Sequence, residues 1–246
     1  MFAKLKPLII DCYTTHKNIF DALPIKPAIN FLPKWWRQIP NVVEVNDVEL
    51  NLRYPVSTLK NCVGVNSLFN KGFIIPMWSD CVLRIGSSKT QDFSYKFADG
   101  SSSIGFHPPF MFSESPIIQN AQHLKFHSPW HIVCGEEVQF LYLEPTWAYE
   151  TQKPFQVLPA VIDYKHQHGS DVNVVATRSL DNYQISINAG TPLVHVVPLT
   201  ERKVVVKNHC VLEKDLELII AKQRPVKFLH NYKFFKKANE QRKCPF

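Results

Sequence analysis

A chain of 246 residues with 45% hydrophobic and 12% aromatic residues has ample material for a packed core, which excludes a disordered polymer. Eighteen prolines against eight glycines disfavour long helices and favour many short segments on stiff connections. The net charge of +7 is unevenly placed: residues 201–246 hold 12 Lys+Arg and 5 Asp+Glu, so the preceding 200 residues balance.

Residues 5–14 read as a first strand. Its apolar run is too short for a signal-peptide core and is ended by Asp11, and no run of about 18 apolar residues follows anywhere. The expectation is a chain kept in the cytosol or packaged from it, with no helix in a membrane. Pro24, Pro27, Pro33 and Pro40 allow only short helical turns between them, and Trp35-Trp36 sits in one such turn. Ser57 or Thr58 is placed to cap a helix running to Asn70 and stopped by Gly72.

After Gly72 the pattern becomes β. Phe93, Tyr95 and Phe97 alternate with polar residues, as do Leu124 and Phe126 with His123, Lys125 and His127 on a wet face. A turn at Gly135 predicts a hairpin between 130–134 and 138–143. Alternation recurs at Val172–Ala176 and Tyr183–Ile187, and further strands are expected at 193–199 and 203–207. About ten short strands with turn signals predict a mainly all-β, single-domain sandwich, jelly roll or cupin-like barrel with a few short helices. Strands alternating with long helices are missing, which disfavours a parallel α/β sheet.

Val211–Gln223 reads as a C-terminal helix with Leu212, Leu216, Ile219 and Ile220 as its apolar stripe and Pro225 as its stop. Beyond it Phe228, Tyr232 and Phe235 share a helical face beside Lys233, Lys236 and Lys237. The expected organisation is an N-terminal strand, Pro/Trp-rich segment and short helix over 1–71, a β body over 72–210, and a helix with a basic aromatic tail over 211–246. The tail residues, with Trp35 and Trp36, are the candidate partner-binding set; a basic tail suits an acidic protein face, nucleic acid or another polyanion.

Six cysteines lie scattered without C-x-x-C pairs, which predicts reduced and mostly buried thiols. Gly86-Ser87-Ser88-Lys89-Thr90 lacks the glycines of a phosphate loop, and Gly100–Gly105 is one residue too long for a nucleophile elbow. His166 and His168, at i and i+2, would face one way on a strand, and Gly190-Thr191-Pro192 followed by His195 loosely matches a cupin turn and ligand. Such imidazoles suit Fe or Zn, although His166 and His168 sit in a polar connection and Asp171 only substitutes for the usual acidic ligand. Trp78, Ser79 and Asp80 suggest either a ligand floor or a core tryptophan with a turn-closing carboxylate.

Phe73-Ile74-Ile75-Pro76-Met77-Trp78-Ser79-Asp80, Ser128-Pro129-Trp130, Ala189-Gly190-Thr191-Pro192-Leu193 up to Pro198, and Pro33-x-Trp35-Trp36 together resemble an uncharacterised family of tailed-phage proteins over most of the chain. The resemblance implies a phage origin and an all-β body, and it implies no reaction. The expectation is a non-enzymatic virion structural or accessory component, in the virion or the host cytoplasm. It would dock on other phage proteins, or form a homo-oligomer, through its β body and basic tail, with nucleic acid as a further partner of the tail and with no cofactor. The alternatives are a cupin-type, oxygenase-like enzyme holding Fe or Zn on His166, His168 and His195, and a host-directed protein binding a ligand or defence factor.

Overall fold

The fold is described from a computed structural model for residues 5–47, 49, 52–87, 92–107, 121–148, 155–167, 169–179 and 181–221. The strands are β1 (Leu8–Thr14), β2 (Lys26–Pro27), β3 (Val42–Asp47), β4 (Leu52–Ser57), β5 (Phe73–Pro76), β6 (Cys81–Ile85), β7 (Phe93–Phe97), β8 (Ile104–Gly105) and β9 (Ala121–Phe126). They continue with β10 (His131–Cys134), β11 (Gln139–Leu143), β12 (Phe155–Val157), β13 (Ala160–Asp163), β14 (Val172–Thr177), β15 (Tyr183–Ile187), β16 (Pro192–Pro198) and β17 (Val204–Cys210). Three short helices are α1 (Lys17–Ala22), α2 (Lys34–Gln38) and α3 (Val63–Asn70), and residues 213–221 form the start of the expected C-terminal helix.

The strands build two curved layers of a sandwich. In one, β5 bends into β6 and β15 into β16, stitched at the bend by Met77 N donating to Thr191 O and Gly190 N to Met77 O, both at 2.7 Å. The sheets β13-β11-β16-β5-β2 and β15-β6-β7 are thereby continuous. In the other, β9 runs through Ser128-Pro129-Trp130 into β10, and Gly169 bridges His131, which joins β12-β14-β9-β8 to β10-β1-β17. Asn208 of β17 pairs with both the N–H and the C=O of Ile25, latching one edge of the two layers together. The layers do not close into a barrel among the described residues.

Between the layers lies one contiguous apolar cluster, to which β1, β5, β6, β9, β10, β11, β14 and β16 all contribute. The alternation that drives it is plain in β1, where Leu8, Ile10 and Cys12 are buried and the intervening residues are half-exposed. Tyr142 and Tyr164 are both buried and hydrogen-bond hydroxyl to hydroxyl, which satisfies polar groups that would otherwise be costly there. Among the described cysteines, Cys12, Cys81 and Cys134 are buried and unpaired.

Two local expectations are corrected. Segments 131–134 and 139–143 do not form a hairpin: β10 pairs with β1, and β11 pairs with β13 and β16. The turn at Gly135 instead carries the chain from one layer to the other, because each strand finds a longer apolar partner elsewhere. In the C-terminal helix only Leu216 of the expected stripe is buried, and Leu212 is exposed.

Gly72 is the joint between α3 and β5. Its φ is +72°, and a Cβ there would stand 1.9 Å from the carbonyl oxygen of Val196, so no other residue fits without moving β16. Gly100 has a similar φ of +67° with nothing within 4 Å. Gly100→Ala should therefore cost only the left-handed backbone penalty of about 1–2 kcal/mol. Gly72→Ala should cost clearly more than Gly100→Ala in urea unfolding; equal costs would show that β5 and β16 do not approach so closely.

Candidate functional site

The outer face of β5 and β16 is as dry as the inner one, since all four residues of β5 and Leu193–Pro198 are buried. What covers it is an aromatic wedge. Trp36 of α2 meets Phe69 of α3 edge-on at 4.6 Å, Phe69 meets Trp147 at 4.8 Å, and Trp147 meets His195 of β16 at 5.8 Å. Trp36 is thus an internal packing residue; Trp35 packs against it edge-on at 5.8 Å and is half-buried.

The wedge holds α2 and α3 side by side, and the chain between them is clamped at its root. Thr58 N donates to Asn41 O at 3.0 Å and Thr58 Oγ1 to Pro40 O at 2.5 Å. Asn61 Nδ2 reaches Asn41 O at 2.9 Å, and Lys60 Nζ reaches Ile39 O at 3.0 Å. From this root β3 and β4 project as a two-stranded antiparallel hairpin, with no third strand beside it among the described residues.

Register sorts the hairpin into two faces. Val43 opposite Val56, Val45 opposite Tyr54, and Asp47 opposite Leu52 share one; Glu44 opposite Pro55 and Asn46 opposite Arg53 share the other, where Arg53 Nε donates to Asn46 Oδ1 at 2.8 Å. The first face is apolar up to Asp47 and open among the described residues: Leu52 is 56% exposed, Tyr54 41% and Val43 38%. No residue of β3 or β4 belongs to the core cluster. A lone hairpin is only marginally stable in water, so an apolar face on one is a surface that gains from a third element. The sequence carries the alternation of a hairpin in Val43-Glu44-Val45 and Tyr54-Pro55-Val56, but Pro55 in the second run and the absence of a glycine turn between the two mask the signal.

The histidines disperse. His195 is fully buried with Nε2 2.7 Å from the Lys71 carbonyl, so that nitrogen carries the hydrogen and donates. His166 lies in the turn after β13, its backbone N–H donating to Asp163 O and its Nε2 3.9 Å from Asp163 Oδ2. Asp163 faces Gln139 and His195 faces Leu143, four residues apart along β11, or about 13 Å. His168 lies outside the described residues. Among the described residues no group of three or more His, Cys, Asp or Glu is placed to hold a metal ion. Asp171 is committed to Lys125 at 2.8 Å and to His127 at 3.4 Å.

His123, expected on a wet face, is buried: the N–H of His107 donates to its Nδ1 at 3.2 Å, and the two rings lie 4.7 Å apart. Trp78 is a core residue whose Nε1 donates to Ser102 Oγ at 2.9 Å, and Asp80 Oδ1 accepts from Ala189 N at 2.7 Å, closing a turn. Phe228, Tyr232, Lys233, Phe235, Lys236 and Lys237 lie outside the described residues.

Comparison with family models, with curated proteins and with solved structures returns no match.

The buried imidazoles give the fold a dependence on pH. Burial pushes His123 down to about 4, with His107 and Lys125 adding to the shift. Burial also lowers His131 against the opposing pull of Asp171, and lowers His195 against its bond to Lys71. In the unfolded chain each takes a proton near pH 6.5. Their contribution is therefore fully present above about 6.5 and is lost progressively as pH falls toward about 4, where the unfolded state binds more protons. Unfolding free energy should fall over that window, and His123→Gln should flatten the slope; an unchanged slope would contradict a neutral buried His123.

Proposed function

We propose that this chain is a non-enzymatic structural or accessory component of a tailed-phage particle, docking on other proteins through surfaces carried by its β body. The observation that carries this is the projecting hairpin: a rooted arm with an apolar, uncovered face, outside the core it would otherwise strengthen. Exposed apolar area of this kind on a soluble domain is a mark of protein–protein contact. The root bonds around Thr58, Lys60 and Asn61 hold the arm in place, so little ordering is needed when a partner arrives. The motif resemblance to tailed-phage proteins supplies the biological setting, and the basic C-terminal tail supplies a second docking element.

Two measurements test this. Mass spectrometry of purified particles of the encoding phage should find the chain at a fixed stoichiometric copy number; its absence from particles would sink the assignment. Particles assembled with Val43→Asp/Tyr54→Asp in place of the natural chain should incorporate it at least about tenfold less, because burying an unpaired carboxylate in an interface costs more than about 1.4 kcal/mol. Since the arm contributes nothing to the core cluster, the variant should unfold in urea at the same midpoint as the natural chain; undiminished incorporation would remove the arm from the docking role.

A further inference from the structure

We infer that the arm formed by β3 and β4 is the receptor for the basic C-terminal segment 222–246 of a second copy of this chain, giving a head-to-tail contact between copies. This deepens the proposed assembly role and rests on it. Three observations select that occupant.

The first is charge. Residues 42–58 carry Glu44, Asp47 and Glu49 against Arg53 alone, Asp47 on the apolar face and Glu44 beside Arg53 on the other, whereas residues 222–246 carry eight Lys+Arg against the single Glu240. Arms facing arms would bring their carboxylates together; an arm facing the segment pairs opposite signs. The second is apolar match. The segment carries Phe228, Leu229, Tyr232, Phe234 and Phe235 between its cations, and the arm presents Val43, Val45, Leu52, Tyr54 and Val56 on one face ending in Asp47. The third is reach. Twenty-five residues follow Ala221, enough to extend about 80 Å, which spans the gap to a neighbour of similar size. A free strand edge on a two-stranded hairpin is also the place where an added segment completes a stable three-element unit. Because arm and segment are different surfaces, the contact is heterologous, and repeated copies form a ring or a filament.

The test is sedimentation equilibrium of the purified full-length chain and of charge-reversed variants, at low and at high salt. The natural chain should self-associate. Glu44→Lys/Asp47→Lys/Glu49→Lys and, separately, Lys233→Glu/Lys236→Glu/Lys237→Glu should each weaken association at least about tenfold at low salt. An equimolar mixture of the two variants should restore it, since each then offers a surface opposite in sign to the other's. At high salt the natural chain should keep most of its association through the aromatic side chains, and each reversed variant alone should recover toward it as its repulsion is screened, so that mixing adds little. Tyr54→Ser, which removes the apolar ring without adding charge, should weaken association without changing the urea midpoint. A natural chain that is monomeric throughout, reversed variants that associate normally, or a mixture that fails to recover would each overturn the inference. A chain found at stoichiometric copy number in particles but monomeric alone would fail this inference while leaving the assembly role standing. A self-associating chain absent from particles would do the reverse.

Discussion

The burial of the β5–β16 pair on both faces is the constraint on which the rest of the molecule depends. The inner face enters the common core, and the outer face must be covered by something that is not a third layer of sheet. Short helices cut by proline do this with large rings: Trp36, Phe69 and Trp147 fill the area that longer helices would fill with aliphatic side chains. The dryness also dictates the state of His195, whose only economical form there is neutral, with its one N–H given to Lys71. Gly72 follows from the same packing, because the chain must pass from α3 into β5 in contact with the backbone of β16.

That cover sets the geometry of the arm. The two helices bearing Trp36 and Phe69 are fixed by the sheet beneath them, so the segment joining them begins and ends at neighbouring points. Sixteen residues between Asn41 and Thr58 cannot lie flat across so short a gap, and they fold out as a hairpin instead. The hydrogen bonds at its root make the hairpin an extension of the body. A surface held this way meets a partner at lower entropic cost than a loose loop carrying the same side chains.

The polar residues of the body are largely spent on the fold itself. Asp171 pairs with Lys125, Asp80 closes the turn before β16, Asn208 latches the two layers, and Arg202 clamps Glu136 beside the start of β1. Burial of His123 and His195 makes them sensitive to acid as structural groups. What the described surface offers outward is of a different kind, the apolar area and carboxylates of the arm, while the basic charge lies in the sequence after Ala221.

Period-two alternation in Phe93–Phe97, Val172–Ala176 and Tyr183–Ile187 determined on its own that the chain is mainly β, and left open whether its strands form a sandwich or a barrel, because side chains on a pleated strand alternate between its two faces in either. Proline spacing likewise determined that helices would be short, and the composition determined that the positive charge would concentrate in the tail. Partner choice was invisible at that level. Nothing local in 130–143 tells that β10 belongs to β1 and β11 to β16, since strand pairing is settled by which apolar faces meet across about 120 residues in the first case and more than fifty in the second. The same holds for burial of polar groups: His123 lies on the side of an alternating strand expected to be wet, and His107, distant in sequence, packs against it. Trp35-Trp36 could have been a sticky surface or a plug, and the dry outer face of β5 and β16 decided for the plug. The arm was decided by tertiary structure alone, because its exposure depends on where the body places its two ends and not on any property of residues 42–57 themselves.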